Sequence, residues 1–271
     1  MDSYLRVWAV TALVSICLAA AGCGGDDDDD GGDFSDWDGE CEESPDQHIE
    51  KGTSWQWQLT EAIDTSLDVE MYDVDLFNVT DAEIEQLHDD GRVVICYFSA
   101  GSWEDWRDDA GDFPDDAIGN TLEGWEDERW LDVRSEGVRE VMQARLDHAV
   151  DRGCDGVEPD NMDGYLNDPG FDFDGYDQLD YNAFIADASH ERGLSVGLKN
   201  DVDQIEQLEP CYDWALNEEC FAYDECGLYA PFLDAGKAVF HVEYVDEIAN
   251  GQDLADEVCG DESIAGFSTL I

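Results

Sequence analysis

The stretch that most constrains this chain is Val93-Val-Ile-Cys-Tyr-Phe98, a nearly continuous apolar run. A strand without alternating polar positions must be covered on both faces, which is the condition of a parallel sheet flanked by helices. The surrounding sequence repeats that logic. Trp55-Gln-Trp-Gln-Leu59 and Val69 to Phe77 read as an opening strand and its neighbour. Thr80 with Glu83 forms a capping box for a helix whose Ile84 and Leu87 share a face and which Gly91 ends. A second helix starts at Ser135, spaces Val138, Val141, Met142, Arg145 and Ala149 along one side, and stops at Gly153. Asp180 caps a third, with Phe184, Ile185 and Ala188 facing inward and Gly193 closing it. Leu194–Leu198, Trp214–Leu216, Ala238–Val242 and Gly266–Thr269 read as later strands.

Repeated strand-then-helix units with short crossovers are right-handed, and about eight of them close into a single-domain (β/α)8 TIM barrel, an α/β fold. An open doubly wound sheet would want a glycine-rich phosphate loop after an early strand, and the sequence has none. The long connection from Trp103 to Arg129, rich in Asp, Trp and Gly, precedes a further apolar run at Trp130–Val133. Loops of that length are functional or disordered, and the tryptophans favour function.

Gly153-Cys-Asp-Gly-Val-Glu-Pro-Asp-Asn-Met-Asp-Gly-Tyr165 reads as a buried strand that empties into a polar site. Pro159 ends the strand pattern, so Glu158, Asp160, Asn161 and Asp163 gather where it stops. The alternative is an acidic surface loop. In a barrel the carboxyl ends of the strands form the active face, which puts Asp75, Tyr97, Asp160, Lys199, Glu218 and Glu243 around one mouth.

Residues 1–22 read as a signal peptide, with Arg6, an apolar run from Val7 to Ala21, and aspartates where a stop-transfer segment would carry bases. Ala20-Ala-Gly-Cys23 resembles a bacterial lipobox, so Cys23 is the expected lipidation site and the lipid the only expected membrane contact. Residues 23–50 hold a five-aspartate run and little to bury, the pattern of an acidic tether, leaving 51–271 for the barrel. The expected location is extracytoplasmic, anchored to the cell envelope or, with ordinary cleavage, secreted.

Of the net charge of -58, about -45 remains on residues 51–271. That field excludes nucleic acid and anionic headgroups as partners and favours cationic ligands. Adaptation to high salt predicts the same sign. Beyond Cys17 and Cys23 the chain has seven cysteines, an odd number that leaves one thiol over once the rest pair. Cys220 and Cys226 are close enough to close a small loop.

No Gly-x-Ser-x-Gly elbow, Walker loop or His-Glu-x-x-His is present, and the five histidines are scattered. Zinc would need paired CxxC-type spacings, which are missing. Aligning Asp172-Phe-Asp174-Gly175 with a calcium loop puts Gly170 where the first aspartate belongs, though Asp168, Asp172, Asp174 and Asp177 leave a looser site open. No cofactor and no metal is expected. Carboxylates at several strand ends, with Trp55, Trp57, Tyr97, Trp103 and Trp106 near one mouth, suit a glycosidase: one carboxyl protonates the leaving oxygen, another attacks or activates water, and aromatic faces hold sugar rings. The rival is a lipid-anchored carbohydrate-binding barrel without turnover.

The blocks Trp55–Leu59, Tyr72–Phe77, Val94–Gly101, Gly156–Asn161, Gly197–Asn200, Asn217-Glu218 with Cys220-Phe221, and Gly236–Phe240 with Glu243-Tyr244 resemble, in order, those of glycoside hydrolase family 114, the endo-α-1,4-polygalactosaminidases. The resemblance implies a (β/α)8 barrel that cleaves α-1,4-linked galactosamine polymers, with Asp160 and Glu218 as catalytic pair. It implies substrate contacts at Trp57, Gln58, Asp73, Asp75, Tyr97, Asn161, Lys199, Asn200 and Glu243. Retention of configuration, Asp160 as nucleophile and Glu218 as acid and base follow from it. The partner is then a galactosamine-containing polysaccharide, cationic where deacetylated, met by a monomeric enzyme.

Overall fold

The apolar run at 93–98 lies at the centre of one wall of a nearly closed barrel. The structure, a computed structural model, describes residues 34–37, 39, 41, 49–245 and 248–271. The proposed signal peptide and Cys23 fall outside them.

In chain order the elements are β1 (Trp55–Gln58), β2 (Met71–Asp75), α1 (Asp81–Asp89), β3 (Val93–Ser99), β4 (Ser102–Glu104), β5 (Ile118–Leu122), β6 (Trp125–Leu131), α2 (Glu136–Arg152), β7 (Gly156–Asp160) and α3 (Gly175–His190). They continue with β8 (Ser195–Lys199), α4 (Ile205–Leu208), β9 (Trp214–Glu218), α5 (Cys220–Tyr223), α6 (Ala230–Asp234), β10 (Ala238–Val242), α7 (Gly251–Val258) and β11 (Ser268–Leu270). Eight of the strands pair in parallel in the order β1-β2-β3-β7-β8-β9-β10-β11. Across the seam the Trp55 indole donates to the Ser268 carbonyl at 2.9 Å. The (β/α)8 barrel expected from the alternation is the fold.

Alternate positions along the strands separate two cores. Trp55, Met71, Ile95, Trp214, Leu216, Phe240 and Val242 fill the barrel, while Val74, Val94, Phe98, Val157, Val196 and Leu198 pack outward with the helices. Gly197 has no side chain because a Cβ there would lie 2.3 Å from the Trp214 ring.

Three local expectations change. The connection after β3 is neither disordered nor a bare loop: β4, β6 and β5 form an antiparallel sheet, and Trp130 belongs to it, not to the barrel. Its base is fastened by Arg107, which forks onto Asp75 at 2.7 and 3.0 Å and also pairs with Glu104. Helix α3 starts before Asp180, because Asp174 and Asp177 form a reciprocal capping box at its first turn; the acids weighed for calcium thus include two that cap a helix. The packed body also reaches into the segment that composition assigns to the tether. Phe34 is buried against Tyr165 and Tyr176, Trp37 donates to Asp180, and Cys41 is bonded to Cys211. Charge counting overlooks these because each is a single apolar residue among acids.

Cys96–Cys154 and Cys220–Cys226 complete the disulfides among the described residues, and Cys259 is the exposed free thiol. His241 sits beside the second bridge, but its sulfurs are already bonded, so this cluster offers no thiolate ligands.

Candidate active site

Strands β7, β8 and β9 end in Asp160, Lys199 and Glu218, and each is followed at once by a left-handed residue. Asn161 has φ 60°, Asn200 51°, Asp201 48° and Glu219 65°. Such backbone is costly for residues other than glycine and gathers where structure is spent on function. Gly101, opposite, is required by the same crowding, since its Cβ would fall 1.7 Å from the Asn161 carbonyl oxygen.

Lys199 is the hub. Its Nζ lies 2.8 Å from Glu158 Oε1, 3.2 Å from Glu218 Oε2 and 3.5 Å from Asp160 Oδ1. It also stands over the rings of Trp57 and Tyr97, at 4.7 and 5.5 Å. The lysine is buried, whereas the Asp160 and Glu218 side chains keep 19% and 25% of their surface open, so these two face whatever enters the mouth. Burial works against the Lys199 charge, but Asp160, Glu158 and Glu218 outweigh it and hold its pKa well above the ordinary lysine value.

Each carboxyl has its own further donors. Asp160 Oδ2 accepts from the Tyr97 hydroxyl at 3.1 Å, and Oδ1 from the Asn161 backbone N–H at 2.8 Å. Burial and the Asp160 charge together push the Tyr97 hydroxyl well above its usual pKa, so it stays a donor. Glu218 accepts from Asn200 Nδ2 at 3.2 Å and from the Tyr244 hydroxyl. Burial alone would raise the Glu218 carboxyl; Lys199, Tyr244 and Asn200 overcome it and hold it below the usual value. Glu219, the neighbour in sequence, has left-handed backbone and stands at the N-cap of α5, where burial, then Glu243 and then Glu218 raise its own carboxyl.

Of the residues expected at the mouth, Trp57, Tyr97, Asn161, Lys199 and Asn200 surround the Asp160–Glu218 pair. Four others are engaged elsewhere. Gln58 pins the loop after β1, donating to the Ala62 carbonyl and accepting from the Asp64 N–H. Asp75 is occupied by Arg107. Glu243 is buried, accepting from the Phe221 and Ala222 N–H groups and pairing with His241. Asp73 is fully buried beneath the site. Trp55 lies in the barrel interior and Trp103 donates to the Ala110 carbonyl, while Trp106 is exposed in the turn after β4. Glu158, expected among the polar residues gathered at this strand's end, shares the face of Asp160 by the two-residue strand period but is fully buried. One residue at the site lay outside the expected contacts: Tyr244 follows β10, and no local pattern aims it at Glu218.

The glycoside hydrolase family GH114 model matches residues 39–271. A crystal structure of Aspergillus fumigatus Ega3 in complex with galactosamine is similar at 43% identity and a TM-score of 0.79, over 83% of this chain and 93% of that one. The glycoside hydrolase domain of PelA from Pseudomonas aeruginosa shares the fold at 11% identity and a TM-score of 0.62, over 82% and 94%. A comparison with curated proteins returns no match.

Proposed function

The chain belongs to glycoside hydrolase family GH114, and from that membership we propose that it cuts α-1,4-linked galactosamine and N-acetylgalactosamine polymers internally, with retention of configuration. The observation that carries this reading is Lys199 touching both open carboxylates. Since its ammonium bridges Asp160 Oδ1 and Glu218 Oε2, those oxygens are separated by at most the two contacts together, roughly 6.7 Å; retaining pairs stand about 5 to 5.5 Å apart and inverting pairs about 6.5 to 9.5 Å. The galactosamine bound in the Ega3 structure supports the substrate class, and the acidic charge of this chain suits a cationic polymer.

In the proposed reaction an Asp160 oxygen attacks the anomeric carbon. The glycosidic C–O bond breaks as Glu218 gives its proton to the leaving oxygen, and the sugar is left esterified to Asp160. Glu218 then takes a proton from water, whose oxygen attacks the same carbon and frees Asp160. Against the effect of burial, Lys199, Tyr244 and Asn200 favour the Glu218 carboxylate. A leaving oxygen that takes the place of the Tyr244 hydroxyl removes one of those donors and raises the proton affinity that the acid step needs. Trp57 and Tyr97 supply aromatic surface beside the pair. The three disulfides are consistent with an oxidising, extracytoplasmic setting, and lipidation of Cys23 would hold the enzyme at the envelope.

Incubation with a galactosaminogalactan-type polymer, followed by mass spectrometry, tests the reading. Internal cuts releasing hexosamine oligomers are expected. Retention of the polymer on the protein without release, at salt where the protein is folded, would favour the binding barrel instead.

A further inference from the structure

Beneath the hub lies a carboxyl for which the catalytic scheme has no use. Asp73, on β2, is 0% exposed, and among the described residues no ammonium, amide, hydroxyl or backbone N–H hydrogen-bonds to either of its oxygens. Its polar neighbour is the equally buried Glu158 carboxyl of β7. Glu158, by contrast, accepts the Trp57 indole N–H at 3.0 Å on Oε2, and its Oε1, which has no hydrogen-bond donor either, is ion-paired with Lys199 Nζ at 2.8 Å.

An ionised carboxylate with no donor, out of water and beside a second carboxylate, is not a state that a protein interior sustains; the pair keeps a proton instead. The proton belongs where no other donor reaches. We propose that Asp73 is a neutral, hydrogen-bond-donating carboxylic acid that orients the Glu158 carboxylate, and that Glu158 in turn positions Lys199 between Asp160 and Glu218.

This rests on Asp160 and Glu218 being the reacting pair and goes beyond it, because Asp73 and Glu158 are both fully buried and lie outside that pair. Burial first, then the Glu158 charge, drives the Asp73 carboxyl well above the usual range, with Lys199 opposing and Asp160 adding to it. Charge balance gives the arrangement its consequence. With Asp73 neutral, Lys199 faces three carboxylates, one below and two at the mouth. A fourth charge in the floor would draw the ammonium down and away from the reacting pair. Replacing Glu158 with an amide would instead free Lys199 to rise and hold both reacting carboxyls too strongly as anions.

The two substitutions should therefore behave oppositely. Asp73→Asn keeps shape and hydrogen-bond donation, so kcat/KM on the polymer should stay within about threefold of wild type with an unchanged pH profile. Glu158→Gln should lose about a hundredfold or more, with the falling, high-pH limb of kcat/KM moved to lower pH. Infrared spectroscopy supplies a readout that does not depend on turnover: wild type should show the carbonyl stretch of a protonated carboxyl persisting above pH 8 and missing from Asp73→Asn. Absence of that band in wild type overturns the proposal, as does an Asp73→Asn protein that fails to fold or is as impaired as Glu158→Gln. Asp160→Asn serves as control. If it remains active, the assignment of the reacting pair has failed, and the infrared band still decides the protonation of Asp73.

Discussion

The Tyr244 hydroxyl donates to Glu218 Oε1 from the loop after β10, while Lys199 and Asn200 hold the other oxygen of the same carboxylate. Tyr244 is half exposed and can give way to a ligand, whereas Lys199 is buried among Glu158, Asp160 and Glu218. Tyr244→Phe removes one donor to the charged form, so the Glu218 carboxyl should bind its proton more tightly. The limb of kcat/KM that falls as pH rises, set by loss of that proton, should move up by about one pH unit with kcat changed less than tenfold. An unmoved limb would mean that Tyr244 does not govern the acid.

Glu128 on the inserted sheet predicts a pH effect on stability. It accepts from Ser102 Oγ at 2.7 Å, Ser102 bonds Ser99, and Ser99 accepts from Asn161 Nδ2, so a chain of hydrogen bonds runs to the residue after Asp160. Burial pushes its carboxyl up to about 7 despite the Ser102 bond. A raised folded-state value means that this contribution to stability is complete below the unfolded value, near 4.5, and is lost as pH rises to about 7. Glu128→Gln removes the titration and should be more stable than wild type above pH 7, by up to about 3 kcal/mol, the gap closing toward pH 4.5. Paired denaturation curves at pH 5 and pH 8 check this; equal gaps at both would refute it.

Charge makes a third prediction. The eleven bases in residues 51–271 cannot neutralise the fifty-six acids there, and several bases are committed to Asp75, Glu104, Asp109 and Glu158. Repulsion among the remaining carboxylates should be screened by salt. The Tm should rise by several degrees or more between dilute buffer and molar potassium chloride. A Tm that does not respond would show that the acidic surface carries no such strain.

How far these features were legible in the sequence depended on whether the signal was local. The two-sided apolar run of β3, the Thr80–Glu83 capping box and the glycine stop at 153 are local, and barrel, helix and boundary follow from them. Asp160 and Glu218 lie at strand ends, where the fold places chemistry, so their convergence was foreseeable. Asp75, Glu243 and Gln58 show the same strand-end pattern, yet they hold an arginine, a helix start and a loop. Nothing in sequence separates a carboxylate facing substrate from one facing Arg107 or a helix N-terminus. The inserted sheet escaped notice because β4 and β5 are short and β6 exposes Glu126 and Asp127, which resembles a loop. Tyr244 was beyond reach because its partner lies on another strand.

The assignment of roles predicts a difference under azide. On an aryl glycoside of a galactosamine oligomer, whose leaving group needs no protonation, Glu218→Ala should be accelerated by azide and yield the α-azide, since the Asp160 ester still forms. Asp160→Ala should yield no α-azide. A β-azide from the Glu218 variant, made by direct displacement, would reverse the roles.

The account stands on Asp160 and Glu218 acting together on the Lys199 hub. The direct measurement is the rate at which folded Asp160→Asn, with the circular dichroism spectrum of wild type, releases oligomers from a galactosamine polymer. A drop of at least about ten-thousandfold is expected for loss of the nucleophile; release within tenfold of wild type would contradict the account.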